Sequence, residues 1–167
     1  MTNPPYALDR AHEIWHCWID GHPVPKKETR VTYNKKRGKH HGYTDEAVEN
    51  WKQVIGVQLR EGMTEKIFPI AQPLVAHFIY HFEAEGEARR MMIIGDDKYL
   101  SHADFPDYDN LSKPVCDALQ DVGVIANDKL IYSATNTKVW DTRGSGLMIR
   151  LYSCVAAIDL GGGTRRL

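Results

Sequence analysis

The stretch PDYDNLSKPVCDAL, Pro106 to Leu119, carries the residues best suited to chemistry. Asp107 and Asp109 stand one residue apart, directly ahead of a helical pattern. In an extended chain, residues i and i+2 point the same way, so both carboxylates can face one cation. Oxygen-only ligands favour Mg2+ or Mn2+ over zinc. Asp109, Lys113 and Asp117 then recur at i, i+4 and i+8. That spacing puts them on one helix face, opposite the apolar stripe of Leu111, Val115 and Leu119. A lysine on that face can neutralise charge developing on a phosphate under attack. Asp128, in GVIANDKLIY, precedes a strand pattern and is expected to return a third carboxylate to the same end of the sheet. Three carboxylates, a lysine and a divalent ion make a phosphodiesterase centre. The plainer alternative is that Asp107 or Asp109 only caps a helix, and that Lys113 and Asp117 form only a surface pair.

A second metal motif competes. His12-Glu13-Ile14-Trp15-His16 matches HExxH, the zinc-hydrolase pattern in which two histidines lie one helical turn apart. It needs a helix, but the segment is rich in strand formers and runs into Gly21 and Pro23. On a strand the two imidazoles are held roughly 13 Å apart, too far to neighbour each other on one ion. The match is read as coincidence.

The elements that position the aspartates follow from periodicity. TDEAVENWKQVIGVQLREG, 44–62, repeats apolar residues at three and four; Thr44 or Asp45 can cap it and Gly62 can end it, which predicts an amphipathic helix. A second helix is expected to begin around Asp109 to Ser112, because Pro114 belongs in or near a first turn, and to stop at Gly123. Strands are expected over 13–20, 73–82, 129–140 and 146–157, with a short one around Met91 to Ile94. DTRGSG is expected to join the last two long strands as a hairpin. The pattern predicts one α/β domain over 1–167, with a small mixed sheet packed with two main helices and with 1–12 and 158–167 as flexible tails.

Net charge is −1, with 43% hydrophobic and 26% charged residues, an ordinary balance for a globular protein. Its distribution is uneven. KKETRVTYNKKRGKHH gathers Lys26, Lys27, Arg30, Lys35, Lys36, Arg37 and Lys39, and reads as a mobile basic loop for phosphates or as a solvated loop. His40 and His41 belong to the same stretch. The N-terminus carries no apolar secretory core, no run reaches the length of a membrane span, and three scattered cysteines fit reduced thiols, so a cytoplasmic location is expected. Cys116 reads as a packed thiol, Trp51 as core, and His77 and His81 as sharing one strand face, a wet groove or a dimer contact.

PDYDNLSKPVCDAL followed by NDKLI resembles the signature of the RusA family of Holliday junction resolvases, small phage and bacterial endonucleases. IDGHPVPKK is similar to that family's glycine and P-V-P-K segment, and Lys138 falls where many members carry a lysine. The resemblance runs from about Ile14 to Trp140. It implies a Mg2+-dependent homodimeric endonuclease that cuts four-way DNA junctions. Asp107, Asp109 and Asp128 then correspond to metal-binding aspartates and Lys113 to the catalytic lysine. Asn110, Asp117 and Asn127 take supporting places: Asn110 bracing the Asp107–Asp109 turn, Asp117 orienting Lys113, and Asn127 standing where members often carry an acid. Lys138 and the basic stretch, with Arg89 and Arg90, are expected to contact DNA. The remaining alternative within the same fold is a catalytically inactive branched-DNA-binding protein.

Overall fold

Leu74–Glu83 is the most thoroughly buried strand and takes the centre of the main sheet. The structure, a computed structural model, describes residues 12–26, 30–34, 39–43, 45–64, 67–86, 88–89, 99–101 and 106–153. The strands are β1 (His12–Asp20), β2 (Arg30–Asn34), β3 (Lys39–Tyr43), β4 (Leu74–Glu83), β5 (Tyr99–Ser101), β6 (Ile131–Asp141) and β7 (Gly146–Ser153). The helices are α1 (Glu46–Gly62) and α2 (Tyr108–Val122), with a single 3-10 turn over Asp128–Leu130. The main sheet runs β1-β7-β4-β6-β5, and β2 with β3 forms a separate two-stranded ribbon.

Both predicted helices form, the first within its expected bounds and the second ending at its expected stop. Asp45 caps α1 by accepting the Ala47 N–H at 3.0 Å, with Glu46 and Glu49 in the first turn. Gly123 ends α2 in the left-handed region at φ 84°. Trp51, Ile55 and Leu59 of α1 meet Leu111, Val115 and Leu119 of α2 over Ala76, Phe78 and Tyr80 of β4, in one core shared with β1 and β7. Each fully buried Leu or Ile there stabilises the fold by roughly 1.5–3 kcal/mol, so the apolar stripe of α2 faces inward and its charged face is turned to solvent.

The expected hairpin between the last two long strands does not form. β4 lies between β6 and β7, parallel to the first and antiparallel to the second. Two strand spacings are roughly 10 Å, which the four-residue connection 142–145 spans around the end of β4. Ser145 Oγ accepts the Glu83 N–H at 3.0 Å, fastening that connection across the strand end. A strand buried on both faces has the most to gain from a central place, and this outweighs the adjacency of β6 and β7 in sequence.

Three further expectations change. The basic stretch is not a plain loop: Arg30–Asn34 and Lys39–Tyr43 pair as antiparallel strands. A short strand that periodicity did not reveal, β5, pairs with the end of β6. α2 begins at Tyr108, ahead of the expected range, and leaves Pro114 inside the helix. The strand expected around Met91 to Ile94, residues 1–11 and the tail 158–167 lie outside the described residues. Among the described residues no helix is long and apolar enough to cross a membrane.

The HExxH segment is strand β1, as its composition predicts. His12 pairs with Ser153 and His16 with Arg150, so the histidines are spread along β7 and not stacked on a helical turn. Glu13 is engaged by both neighbours: His16 Nδ1 lies 2.8 Å from one of its carboxylate oxygens and Arg150 3.6 Å from the other.

Candidate active site

The charged face of α2 and the turn before β6 meet. Lys113 Nζ lies 2.6 Å from Asp117 Oδ1 and 3.6 Å from Asp128 Oδ2. The first contact follows from helix geometry, since residues four apart are neighbours on one face. The second is tertiary, and another residue of that face holds it: Gln120 Oε1 accepts the Asp128 N–H at 2.9 Å. Gln120 stands seven residues beyond Lys113, two helical turns along, and that spacing is the signal by which sequence reading could have found it. Asn127 caps the 3-10 turn, its side chain accepting the Lys129 N–H at 3.1 Å, so this residue fixes the backbone that presents Asp128. Hydrogen bonding to Asp117, reinforced by Asp128, raises the Lys113 pKa above its ordinary value and keeps it an ammonium at neutral pH.

Asp107 and Asp109 stand exposed at the helix start. Asp107 occupies the N-cap position in extended conformation but its side chain makes no capping hydrogen bond. Its carboxylate is therefore not spent on holding the helix, and the plain capping alternative is not realised there. Asp109 Oδ1 accepts the N–H of Asn110 at 3.0 Å. The loop ahead of them is held from the sheet: Lys138 Nζ donates to the Pro106 carbonyl at 2.5 Å. Lys138, expected as a DNA contact, is an anchor for the Asp107 turn.

Pro114 explains a third attachment. A proline inside a helix has no N–H for the carbonyl four residues earlier, here Asn110. That carbonyl instead accepts the backbone N–H of Lys26 at 2.7 Å. The P-V-P-K segment is delivered there by Gly21, whose φ of 131° a side chain would rarely adopt and whose added Cβ would come within 2.9 Å of the Trp51 ring. Pro23 and Pro25 are buried against the domain. A helix carrying a proline two turns in is tolerated because the orphaned acceptor is satisfied from outside.

The chemistry of the donor set fits a hard divalent ion, because Asp107, Asp109 and Asp128 offer carboxylate oxygens and no sulfur or imidazole. Among the described residues, however, no three such groups are drawn together into one ligand set. Asp128 is placed beside Lys113, while Asp107 and Asp109 stand at the head of α2. Cys116, half-buried on α2, is pushed up to about 11 chiefly by burial, and is inert as a nucleophile. Of the basic residues expected to meet DNA, Arg30 and Lys39 lie on the ribbon strands. Lys27, Lys35, Lys36, Arg37 and Arg90 fall outside the described residues, and Arg89 is exposed.

A cleft of about 790 Å³ lies elsewhere, lined by Trp18, His81, Thr137, Asp141, Arg143 and Arg150. Thr137 and Val139 border it while Lys138, between them, reaches Pro106, so the cleft is on the sheet face away from α2. His81 is buried there and bonds Asp141 at 2.9 Å, a fixed pair on a face expected to be a wet groove or a contact.

These features define an α/β domain whose second helix starts with two exposed aspartates and carries a lysine between Asp117 and Asp128, beside a separate two-stranded ribbon. The match to a known family is direct: residues 20–152 fit the model of endodeoxyribonuclease RusA, and the chain belongs to the RusA family. That span takes in the ribbon, both helices, the aspartates, Lys113 and Lys138. Among curated proteins, none matches the chain.

Proposed function

We propose that this protein is a Mg2+-dependent endodeoxyribonuclease that resolves Holliday junctions by paired phosphodiester hydrolysis in recombination and repair, within a bacterial cell and encoded by its host or a phage. The observation that carries the reading is Lys113: an ammonium beside Asp128 and Asp117, on the helix that starts with Asp107 and Asp109, in a RusA-family chain.

Asp107, Asp109 and Asp128 are the residues that would hold the ion, Mg2+ or Mn2+. The chemistry supplied with the ion bound is polarisation of the phosphate and activation of a water. Lys113 stabilises the negative charge that accumulates on the phosphate, and Asp117 aims it. Gln120 and Asn127 hold the turn that bears Asp128. The ribbon residues Arg30 and Lys39, with Lys26, Lys27, Lys35, Lys36 and Arg37, neutralise backbone phosphates, which makes binding salt-dependent without reading sequence. A four-way junction is nearly two-fold symmetric, and a C2 homodimer supplies two equivalent sites for paired cuts.

The experiment is cleavage of a synthetic four-way junction in Mg2+. Wild type cuts, EDTA stops it, and Asp109→Asn binds the junction without cutting. A second reading, a branched-DNA-binding protein without catalysis, is favoured by one observation: the three aspartates are not gathered into one ligand set among the described residues. Wild type that binds junctions but cuts none in Mg2+ or Mn2+ establishes that reading instead.

A further inference from the structure

We infer that Pro114 is a positioning residue for the basic ribbon. By withholding an N–H from Asn110, it leaves that carbonyl to Lys26 and docks the root of the ribbon one residue from Asp109. The inference rests on the nuclease reading above and adds to it a coupling between the surface that holds DNA and the helix that carries the site.

The geometry has three parts. The Lys26 N–H to Asn110 carbonyl bond is short, at 2.7 Å. A proline ring two turns into α2 crowds the carbonyl four residues earlier and offers it no N–H, which leaves it to an external donor. The docking point is placed between chemical groups: Asn110 follows Asp109, and Lys113 is one turn further along the same helix. β2 begins at Arg30, four residues beyond Lys26, so this bond lies at the base of the ribbon. Order imposed on the ribbon by DNA is passed to the helix start through this bond.

Two substitutions at Lys26 separate the bond from the charge. Lys26→Ala keeps the N–H and loses the ammonium; Lys26→Pro loses both. Pro114→Ala gives Asn110 a helical donor of its own. Purified full chains are compared for folding stability and for kcat on a four-way junction in Mg2+. Lys26→Pro is expected to lower the folding equilibrium constant about fivefold or more relative to Lys26→Ala, because the Asn110 carbonyl, which α2 itself cannot satisfy, loses its partner. Adding Pro114→Ala restores most of that stability, since the helix now closes on itself. Turnover behaves differently. The kcat of Lys26→Pro falls about tenfold or more below Lys26→Ala, and Pro114→Ala does not bring it back, because the ribbon root stays undocked.

If Lys26→Pro turns over as fast as Lys26→Ala, or if the double variant regains turnover along with stability, the bond only completes the helix and the inference is overturned. Should Lys26→Pro fail to fold, Pro114→Ala alone decides: faster exchange of the Lys26 amide with reduced kcat supports positioning, and unchanged exchange or unchanged kcat overturns it. A wild type that cuts nothing sinks the nuclease reading and the positioning role with it, whereas a cutting wild type with an indifferent Lys26→Pro sinks the positioning role alone.

Discussion

Lys138 on β6 donates its ammonium to the carbonyl of Pro106, 32 residues away in sequence and directly ahead of Asp107. This bond ties the loop that presents the first aspartate to the middle of the sheet. Replacing Lys138 by Met keeps the stem and removes the donor. The expected loss is roughly 1.5–3 kcal/mol of stability, the range for a hydrogen bond to a charged group. Junction cleavage slows with it. If Lys138 also contacts a phosphate, the salt slope of junction binding falls by about 1; if its role is only to anchor Pro106, kcat falls and the slope holds. Thermal unfolding and binding titrations at several salt concentrations measure both.

Removal of the Lys113 ammonium is the sharpest chemical test. Lys113→Ala is expected to lower kcat by about 100-fold or more while junction affinity changes little, the size typical of losing a charge-stabilising donor. The Lys113 pKa is raised by Asp117 and then Asp128, so the protonated form is the one the fold favours. Any stability from this contact is present below the unfolded lysine pKa and is lost as pH rises through the folded value, above 10.5. Between pH 6 and 9 the cleavage profile should therefore carry no falling limb from Lys113. A pH series comparing wild type with Asp117→Asn checks this.

Asp141 sets a separate, acid-side signature. Burial alone would raise its pKa, but hydrogen bonds from the Arg143 side chain and backbone, and from His81, hold it down to about 2. A depressed carboxylate stabilises the fold above its unfolded value and loses that contribution as pH falls through the folded one. Asp141→Asn is expected to cost about 2 kcal/mol at pH 7, with the difference from wild type closing between pH 4 and pH 2. Denaturant melts across that window are the measurement.

Cys116 lies on the same helix as Lys113, with its thiol packed toward the core. With its thiol pushed up to about 11, thiolate is scarce at pH 8 and alkylation by iodoacetamide should be slow. Cys116→Ala is expected to keep junction cleavage within about twofold and to cost about 1 kcal/mol of packing. Loss of cleavage after alkylation of Cys116 in the native protein would contradict this assignment.

Much of the geometry around Lys113 was legible in the sequence because its cues are local. The i, i+4 spacing of Lys113 and Asp117 becomes a 2.6 Å contact, and the Leu111, Val115 and Leu119 stripe becomes core. Asp45 and Gly123 cap their helices as the residue types demand. The HExxH match dissolves into strand β1 for the reasons its composition gives. The start of α2 was less legible: Pro114 argued for a later start, and the residue that relieves it, Lys26, is far away in the chain.

By itself, then, the sequence determined the two helices and their faces, most of the strands, the order of aspartates and lysine, and the family. Those follow from periodicity, capping and motif spacing, which act over a few residues. Only the tertiary structure decided that β4 separates β6 from β7, that the basic stretch pairs into a ribbon, and that Asp128 lies beside Lys113 with Gln120 supporting it. It also decided which distant groups complete the local ones: Lys138 for Pro106, and Lys26 for the carbonyl that Pro114 leaves open. The physical reason is that a burial gain or an unpaired polar group can be satisfied by any segment the fold brings near, and nearness in space is not written in spacing along the chain.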